Sequence, residues 1–444
     1  MLIFVPKEKD SNETRTALTP PIVAKYIKLG AEVFFESGIG EGSRLTDQMY
    51  LDAGAKLAND RKKALNDADI VLRVNEPPKN EISQMKKGAF LVCHLDPFFN
   101  EDLVKKIVSS SVAAISMEMI PRSTIAQKMD SLSSQANIAG YYAVVLAAER
   151  IDKIMPMMTT PSGTLQPAKV FIIGAGVAGL QAIATARRLG ARVEAFDTRP
   201  VVAEQVRSLG AKFVEINLGE TGQTKDGYAK TLTDEQIAMQ RKAMKAICAE
   251  SDIVITTAKL FGRKPPTIIT KDMVDAMKPG SVVVDLAVDA SGGNCEYSKL
   301  NEEVDVNGVR VIGLGNLPGK VASSASLMYS NNLYNFIAHF WDKTAKTFKP
   351  DFEDEIIRSA LIAFDGEIWN NSLRKAYGLN EIKPLTNKDI VEEQAVPAVE
   401  AAPDASAEQP KESAEQPKAA SEPAPEPSGD DEKKKKGGKK KSDE

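Results

Sequence analysis

The chain has 444 residues, a formal net charge of −4 and three cysteines, enough for two domains that each bury a core. Near-balanced charge excludes a general polyanion binder. The widely spaced Cys93, Cys248 and Cys295 exclude a disulfide scaffold or paired-thiol metal site and read as reduced core thiols.

The start, Met-Leu-Ile-Phe-Val-Pro-Lys-Glu, has no signal-peptide character. Strands are expected at 2–5, 33–36, 70–74, 89–94 and 112–117, with helical spacing at 21–29 and 102–108 between them. That alternation argues a parallel sheet flanked by helices. A long helix follows at 132–152. Its most apolar stretch, near 141–148, falls short of the ~20 residues of a membrane span and is bounded by Glu149, Arg150 and Asp152, so a soluble protein is expected. A second unit begins at Val170, with strands at 170–173, 192–196, 212–214, 252–256, 282–286 and 309–312. Six strands with intervening helices, one of them at 234–249 capped by Thr233, fit a doubly wound nucleotide-binding sheet. Residues 324–340 read as one helix returning to the first unit, and 353–379 reads as helical and packed. From about Val391, Pro, Ala, Glu, Ser and Lys dominate. Ser-Ala-Glu-Gln-Pro-Lys occurs at Ser406 and again at Ser413, and lysines fill 433–436 and 439–441. Such a segment cannot bury enough apolar surface to order itself, and its lysines read as a solvated charge run.

The run Val170-Phe-Ile-Ile-Gly174-Ala-Gly176-Val177-Ala-Gly179 is a strand entering a Gly-x-Gly-x-x-Gly turn, and a helix follows to Leu189. Gly174 permits the tight turn, Gly176 lets the backbone approach a pyrophosphate, and Gly179 allows close helix–strand contact. The helix N-terminus then faces the phosphates. The next strand ends at Asp197, whose carboxylate accepts hydrogen bonds from adenine-ribose hydroxyls and repels a 2′-phosphate, favouring NAD over NADP. Thr198 and Arg199 adjoin it; the arginine weakens that exclusion.

The segment Met119-Ile-Pro-Arg122-Ser123-Thr124-Ile125-Ala-Gln127-Lys-Met-Asp130-Ser-Leu-Ser133-Ser-Gln-Ala-Asn-Ile-Ala-Gly-Tyr resembles the Arg–Gln–Asp loop of proton-translocating NAD(P) transhydrogenases, in their NAD(H)-binding component, the soluble portion of the alpha subunit. The resemblance spans about residues 1–379 and includes Glu13-Thr-Arg15-Thr-Ala-Leu-Thr-Pro, Asp226-Gly227-Tyr228-Ala-Lys, Asp252-Ile-Val-Ile-Thr-Thr-Ala and Asp285-Leu-Ala-Val. It implies NAD(H) on this chain, NADP(H) on a partner subunit, and direct hydride transfer between the two nicotinamides, coupled to proton translocation through membrane subunits. Such a transfer needs orientation and exclusion of water rather than an acid or base. By the resemblance, Arg122, Ser123, Thr124, Gln127, Asp130 and Ser133 hold the nicotinamide end. Tyr228, beside Gly227 on a mobile loop at 219–230, closes over the cofactor. A homodimer is implied, with 324–340 and the ordered carboxy-terminal region as contacts, peripheral at the cytoplasmic face of the inner membrane. The family loop usually has a second arginine where Ile125 stands, and another in the following helix where Tyr142 stands.

Alanine dehydrogenases share this two-domain architecture. Their substrate site uses an arginine, a lysine, a histidine and an aspartate, falling here at Arg15, Arg73, His94 and Asp289. Arg73 departs from that set, because a guanidinium anchors a carboxylate but cannot titrate. A non-catalytic NAD sensor is a third reading, disfavoured by the nicotinamide-end segment. The expected fold is α/β: two Rossmann-like domains with parallel sheets linked by long helices, plus a disordered tail. Residues 1–135 with 318–385 form the discontinuous N-terminal domain, 136–317 the NAD-binding domain, and 386–444 the tail.

Overall fold

Five short apolar runs and the exposed pair Lys56-Leu57 assemble the parallel part of the first sheet. In this computed structural model β1 (Leu2–Val5), β2 (Glu32–Phe35), β3 (Lys56–Leu57), β4 (Ile70–Leu72), β5 (Phe90–Cys93) and β6 (Ala113–Ser116) run parallel in the order β3-β2-β1-β4-β5-β6. β4, β5 and β6 are buried along their whole length, as expected of parallel strands covered on both faces. Turn chemistry punctuates the connections: the helix Pro20–Leu29 starts on proline and stops at Gly30, φ +88°. The structure describes residues 1–219, 221–222, 232–259 and 261–387. The tail expected from 386 lies almost wholly outside the described residues, as do Gly227 and Tyr228.

Asp130 caps the helix Ser131–Arg150, which leads past an exposed hairpin of β7 (Met158–Thr160) and β8 (Gly163–Leu165) into the second sheet. That sheet comprises β9 (Lys169–Ile173), β10 (Arg192–Phe196), β11 (Lys212–Phe213), β12 (Ile253–Thr256), β13 (Val282–Asp285), β14 (Glu302–Val306) and β15 (Val309–Gly313). Their order is β11-β10-β9-β12-β13-β15-β14, with only β14 antiparallel. The chain leaves β9 toward β10 on one side and later returns to β12 on the other. The crevice beyond the carboxyl ends of β9 and β12 is therefore a topological switch point, where doubly wound sheets bind ligands. The helix Asp234–Glu250 begins with the capping box of Thr233 and Gln236.

The helix Ala322–His339 then packs Tyr329, Leu333, Phe336 and Ile337 into the core formed by Ile3, Val33 and Ile115 of the first sheet. A hairpin of β16 (Trp341–Asp342) and β17 (Thr347–Phe348) follows, and β18 (Leu361–Phe364) with β19 (Glu367–Ile368) extends the first sheet beyond β6. Cys93, Cys248 and Cys295 are buried and unbridged. Among the described residues no helix is long and apolar enough to cross a membrane.

Two expectations are corrected. Residues 353–379 are not continuously helical: short helices Glu355–Ala360 and Asn371–Ala376 flank the β18–β19 hairpin. Its turn is Asp365-Gly366, at φ +46° and +75°, the pairing that two-residue hairpin turns prefer. The second sheet has seven strands rather than six, because Asn307-Gly308, at φ +54° and +84°, turns β14 back on β15 in the same way.

Candidate active site

The glycine turn sits at the switch point, and each glycine has a measurable reason. Gly174 adopts φ +96°, and a Cβ there would lie 2.5 Å from Thr257 Oγ1. A Cβ on Gly179 would lie 1.8 Å from the Gly174 carbonyl oxygen, so only glycine lets the helix Val177–Arg188 approach the turn. A Cβ on Gly176 would meet nothing within 4 Å. Its bare Cα faces space, on the wall of a cavity of about 730 Å³, within the usual range of small-molecule sites. Gly176 caps the helix without a side chain, no acidic residue stands in the first turn, and the first N–H groups have no intrahelical acceptor. These are the features of a pyrophosphate cradle, and the residues present fit a dinucleotide there.

Asp197 closes β10 on the same cavity wall, together with Thr198 and Arg199. Its Oδ2 accepts the Ala175 N–H at 2.7 Å, which ties the strand end to the glycine turn. Thr257 Oγ1 donates to the Gly174 carbonyl at 3.0 Å. Asn294, fully buried, accepts the Ala258 N–H at 2.9 Å and donates to the Ala258 and Pro266 carbonyls at 3.0 and 2.8 Å. It holds the loop after β12 against the cavity. Buried Asp285, at the end of β13, braces its own loop in the same manner, accepting from Thr256 Oγ1 and from the Ala287 and Cys295 N–H groups.

The 122–133 segment meets this cavity from the first sheet's side. Arg122 and Ser133 line it. Asp130 acts one bond behind: it accepts the Ser133 N–H at 2.8 Å and the Ser133 hydroxyl at 2.6 Å, fixing that hydroxyl while capping the helix. Ser123, Thr124 and Gln127 are not among the lining residues, and Thr124 and Gln127 are exposed to solvent. Ile125 is exposed, at 62 %, whereas Tyr142 packs on the second sheet's core. Gly140 lets the two helices touch, since a Cβ there would lie 2.1 Å from the Ala178 carbonyl oxygen.

The first sheet has the same switch point, beyond β1 and β4, and it is filled with internal ion pairs. Arg15 binds Glu13 through Nε and Nη2 at 2.8 and 2.6 Å, and donates to Gln135 at 3.0 Å. Arg73, 1 % exposed, pairs with Glu8 and Glu81 at 3.0 Å each. His94 shares a 2.8 Å hydrogen bond with Ser131 and packs edge-on to Tyr329. Burial first, and then the positive charge of Arg15, lower its pKa to about 3. Asp289 lies 3.6 Å from Lys259. Of these four positions His94 and Asp289 line the cavity, and both arginines are already neutralised by carboxylates.

Glu118 belongs to no motif in the sequence. It lines the cavity floor, 8 % exposed, and accepts the Leu95 and Asp96 N–H groups on Oε1; Oε2 has no partner. Burial lifts its pKa to about 7. Asn294 likewise carries no sequence signal, and Asp285 stands in the Asp285-Leu-Ala-Val segment with no role attached, because a polar residue that braces a loop has no sequence period.

Residues 4–139 match the family described as alanine dehydrogenase/PNT, N-terminal domain, and residues 143–371 the corresponding C-terminal domain. An NAD(P) transhydrogenase alpha-subunit chain of Rhodospirillum rubrum is 42% identical over 380 residues, covering 84% of this chain and 99% of that protein. The crystal structure of transhydrogenase from Sinorhizobium meliloti superposes with a TM-score of 0.72 at 41% identity, covering 84% of this chain and 100% of that one. An alanine dehydrogenase of Halomonas elongata is more distant, 29% identical over 390 residues, 86% of this chain and 98% of that protein.

Proposed function

Since the chain belongs to the alanine dehydrogenase/PNT family, nearer in sequence to the transhydrogenase alpha subunits than to the alanine dehydrogenases, we propose that it is the NAD(H)-binding subunit of a proton-translocating NAD(P) transhydrogenase. In this reading NADP(H) is held by a partner subunit, hydride passes directly between the two nicotinamides, and membrane subunits carry the protons. The chain works as a homodimer at the cytoplasmic face of the inner membrane, with helix 324–340 and the region after it as contacts. Its lobes are 1–135 with 318–385, and 136–317.

One observation carries the choice: a dinucleotide cradle opens toward Arg122 and Ser133, while the two arginines that would anchor a keto-acid carboxylate are spent on Glu13, Glu8 and Glu81. A 2-oxo acid entering beside His94 would have to break a buried ion pair, which costs several kcal/mol by order of magnitude. His94, neutral throughout the physiological range, is also a poor proton donor for imine chemistry.

Bound NADH supplies the hydride; the chain's residues bind and orient. Gly176 and the first helical N–H groups take the pyrophosphate, and Asp197 with Thr198 takes the adenine ribose. Arg122 and Ser133 take the nicotinamide end, Asp130 holds Ser133 in place, and Ser123, Thr124 and Gln127 complete the loop around it. The apolar side of the wall, among it Ile173, Val177, Phe196 and Ile268, excludes water from the cavity. Tyr228, beside Gly227, closes the site. The test is to mix the purified chain with NADH, pyruvate and ammonium: no NADH oxidation is expected, although enhanced nicotinamide fluorescence reports binding. Steady oxidation would establish an alanine dehydrogenase instead.

A further inference from the structure

The carboxylate at the end of β10 is fully occupied. Asp197 Oδ1 accepts the Arg199 backbone N–H at 2.8 Å and Arg199 Nε at 2.9 Å. Oδ2 accepts the Ala175 N–H and Arg199 Nη2, each at 2.7 Å. A carboxylate offers about four acceptor sites, and four donors fill them here. The pair is withdrawn from water, the two side chains being 5 % and 14 % exposed, yet both residues line the cavity.

Two consequences follow. Ribose hydroxyls can reach Asp197 only by replacing a donor; the backbone N–H groups are fixed, so the guanidinium is the donor that yields. Second, the charges cancel at this end of the cavity, so a bare negative carboxylate is not what a ribose 2′-phosphate would meet. Among the described residues, the other cations on the cavity wall, Arg122, Lys259 and Arg263, come from different segments. Only Arg199 is tethered two residues from the ribose-binding carboxylate.

Resting on the NAD(H) reading above, we propose that Arg199 is a specificity-determining residue: Asp197 holds its guanidinium away from a 2′-phosphate, and freeing that guanidinium turns the site toward NADP(H). Arg199 competes with the ribose diol for the carboxylate and partly offsets the charge that excludes NADPH. Asp197 in turn prevents the guanidinium from forming the two-pronged phosphate contact its geometry suits.

The experiment measures affinities of NADH, NADPH, 5′-AMP and 2′-AMP by titration calorimetry for wild type, Asp197→Asn, Arg199→Gln and the double variant. Asp197→Asn keeps an acceptor for the Ala175 N–H; it should tighten NADPH and 2′-AMP by about tenfold or more while weakening NADH. The double variant should lose that gain. Arg199→Gln leaves both backbone contacts intact, so it provides an arm independent of how well Asp197→Asn folds. Its preference for NADH over NADPH should widen by about tenfold. An Asp197→Asn variant that gains nothing for the 2′-phosphorylated ligands, a double variant that keeps the gain, or an unchanged or narrowed preference in Arg199→Gln overturns the inference. Wild type that binds neither NADH nor 5′-AMP would overturn the NAD(H) reading as well, so the two failures are told apart.

Discussion

Replacing Glu118 by glutamine should stabilise the protein at alkaline pH and leave it nearly unchanged in acid. The carboxyl lies on the cavity floor with Oε1 engaged and Oε2 without a partner, and burial lifts its pKa from 4.5 to about 7. Between those values the folded chain binds a proton that the unfolded chain has released, so stability falls as pH rises through the window. The full difference corresponds to about 3 kcal/mol, and some 2 to 3 kcal/mol of it develops between pH 5 and pH 8. Glutamine keeps the Oε1 acceptor and never ionises. Urea unfolding followed by the fluorescence of Trp341 and Trp369, at pH 5, 6.5 and 8, should show the variant gaining on wild type by roughly that amount across the series. A gap that stays constant with pH would refute the reasoning, since it would mean that Glu118 is not forced to ionise in a desolvated position.

The glycine turn separates folding from binding. Gly176→Ala should leave the urea midpoint unchanged, because its Cβ enters open space, yet weaken NADH at least about tenfold by obstructing the pyrophosphate. Gly179→Ala, with a Cβ 1.8 Å from the Gly174 oxygen, should cost about 1–3 kcal/mol of stability in the same titration. Asp130→Ala should lose the helix cap, about 1 kcal/mol. Asp130→Asn keeps it, so that variant should slow hydride transfer with NADH affinity and urea midpoint retained; equal loss of affinity would make the residue structural. His94 is neutral in the fold, with a pKa near 3 against 6.5, so the unfolded chain gains a proton first as pH falls and stability is lost downward from 6.5. At pH 5 the loss is about 2 kcal/mol; His94→Asn should remove it, and wild type and variant weakening in parallel between pH 7 and 5 would contradict a buried neutral imidazole.

Much of this architecture is legible in the residues themselves. The apolar runs that became β1, β4, β5, β9 and β12 are continuous because those strands are covered on both faces, and the glycine turn carries its own steric reasons. The edge hairpins lie outside the expected elements, although Asn307-Gly308 and Asp365-Gly366 are strong turn signals. β14, Glu-Glu-Val-Asp-Val, is largely exposed and lacks the apolar run that marks the central strands. The site divides in the same way. Gly176, Asp197, Arg122 and Ser133, each set in a recognisable motif, line one cavity. The pairing of Arg15 with Glu13, and of Arg73 with Glu8 and Glu81, depends on loops brought together by the sheet, and no spacing in the chain announces it. That pairing is what weighs against a keto-acid site at positions where residue types alone leave one open.

On the proposed function this chain holds one nicotinamide and meets the other on a second protein. The most direct test is to mix the purified chain with an NADP(H)-binding transhydrogenase domain, NADPH and an oxidised NAD analogue of shifted absorbance, and to follow reduction of the analogue. Reduction that requires both proteins is the predicted result. Failure of the mixture to transfer hydride, while the chain alone oxidises NADH with pyruvate and ammonium, would contradict it.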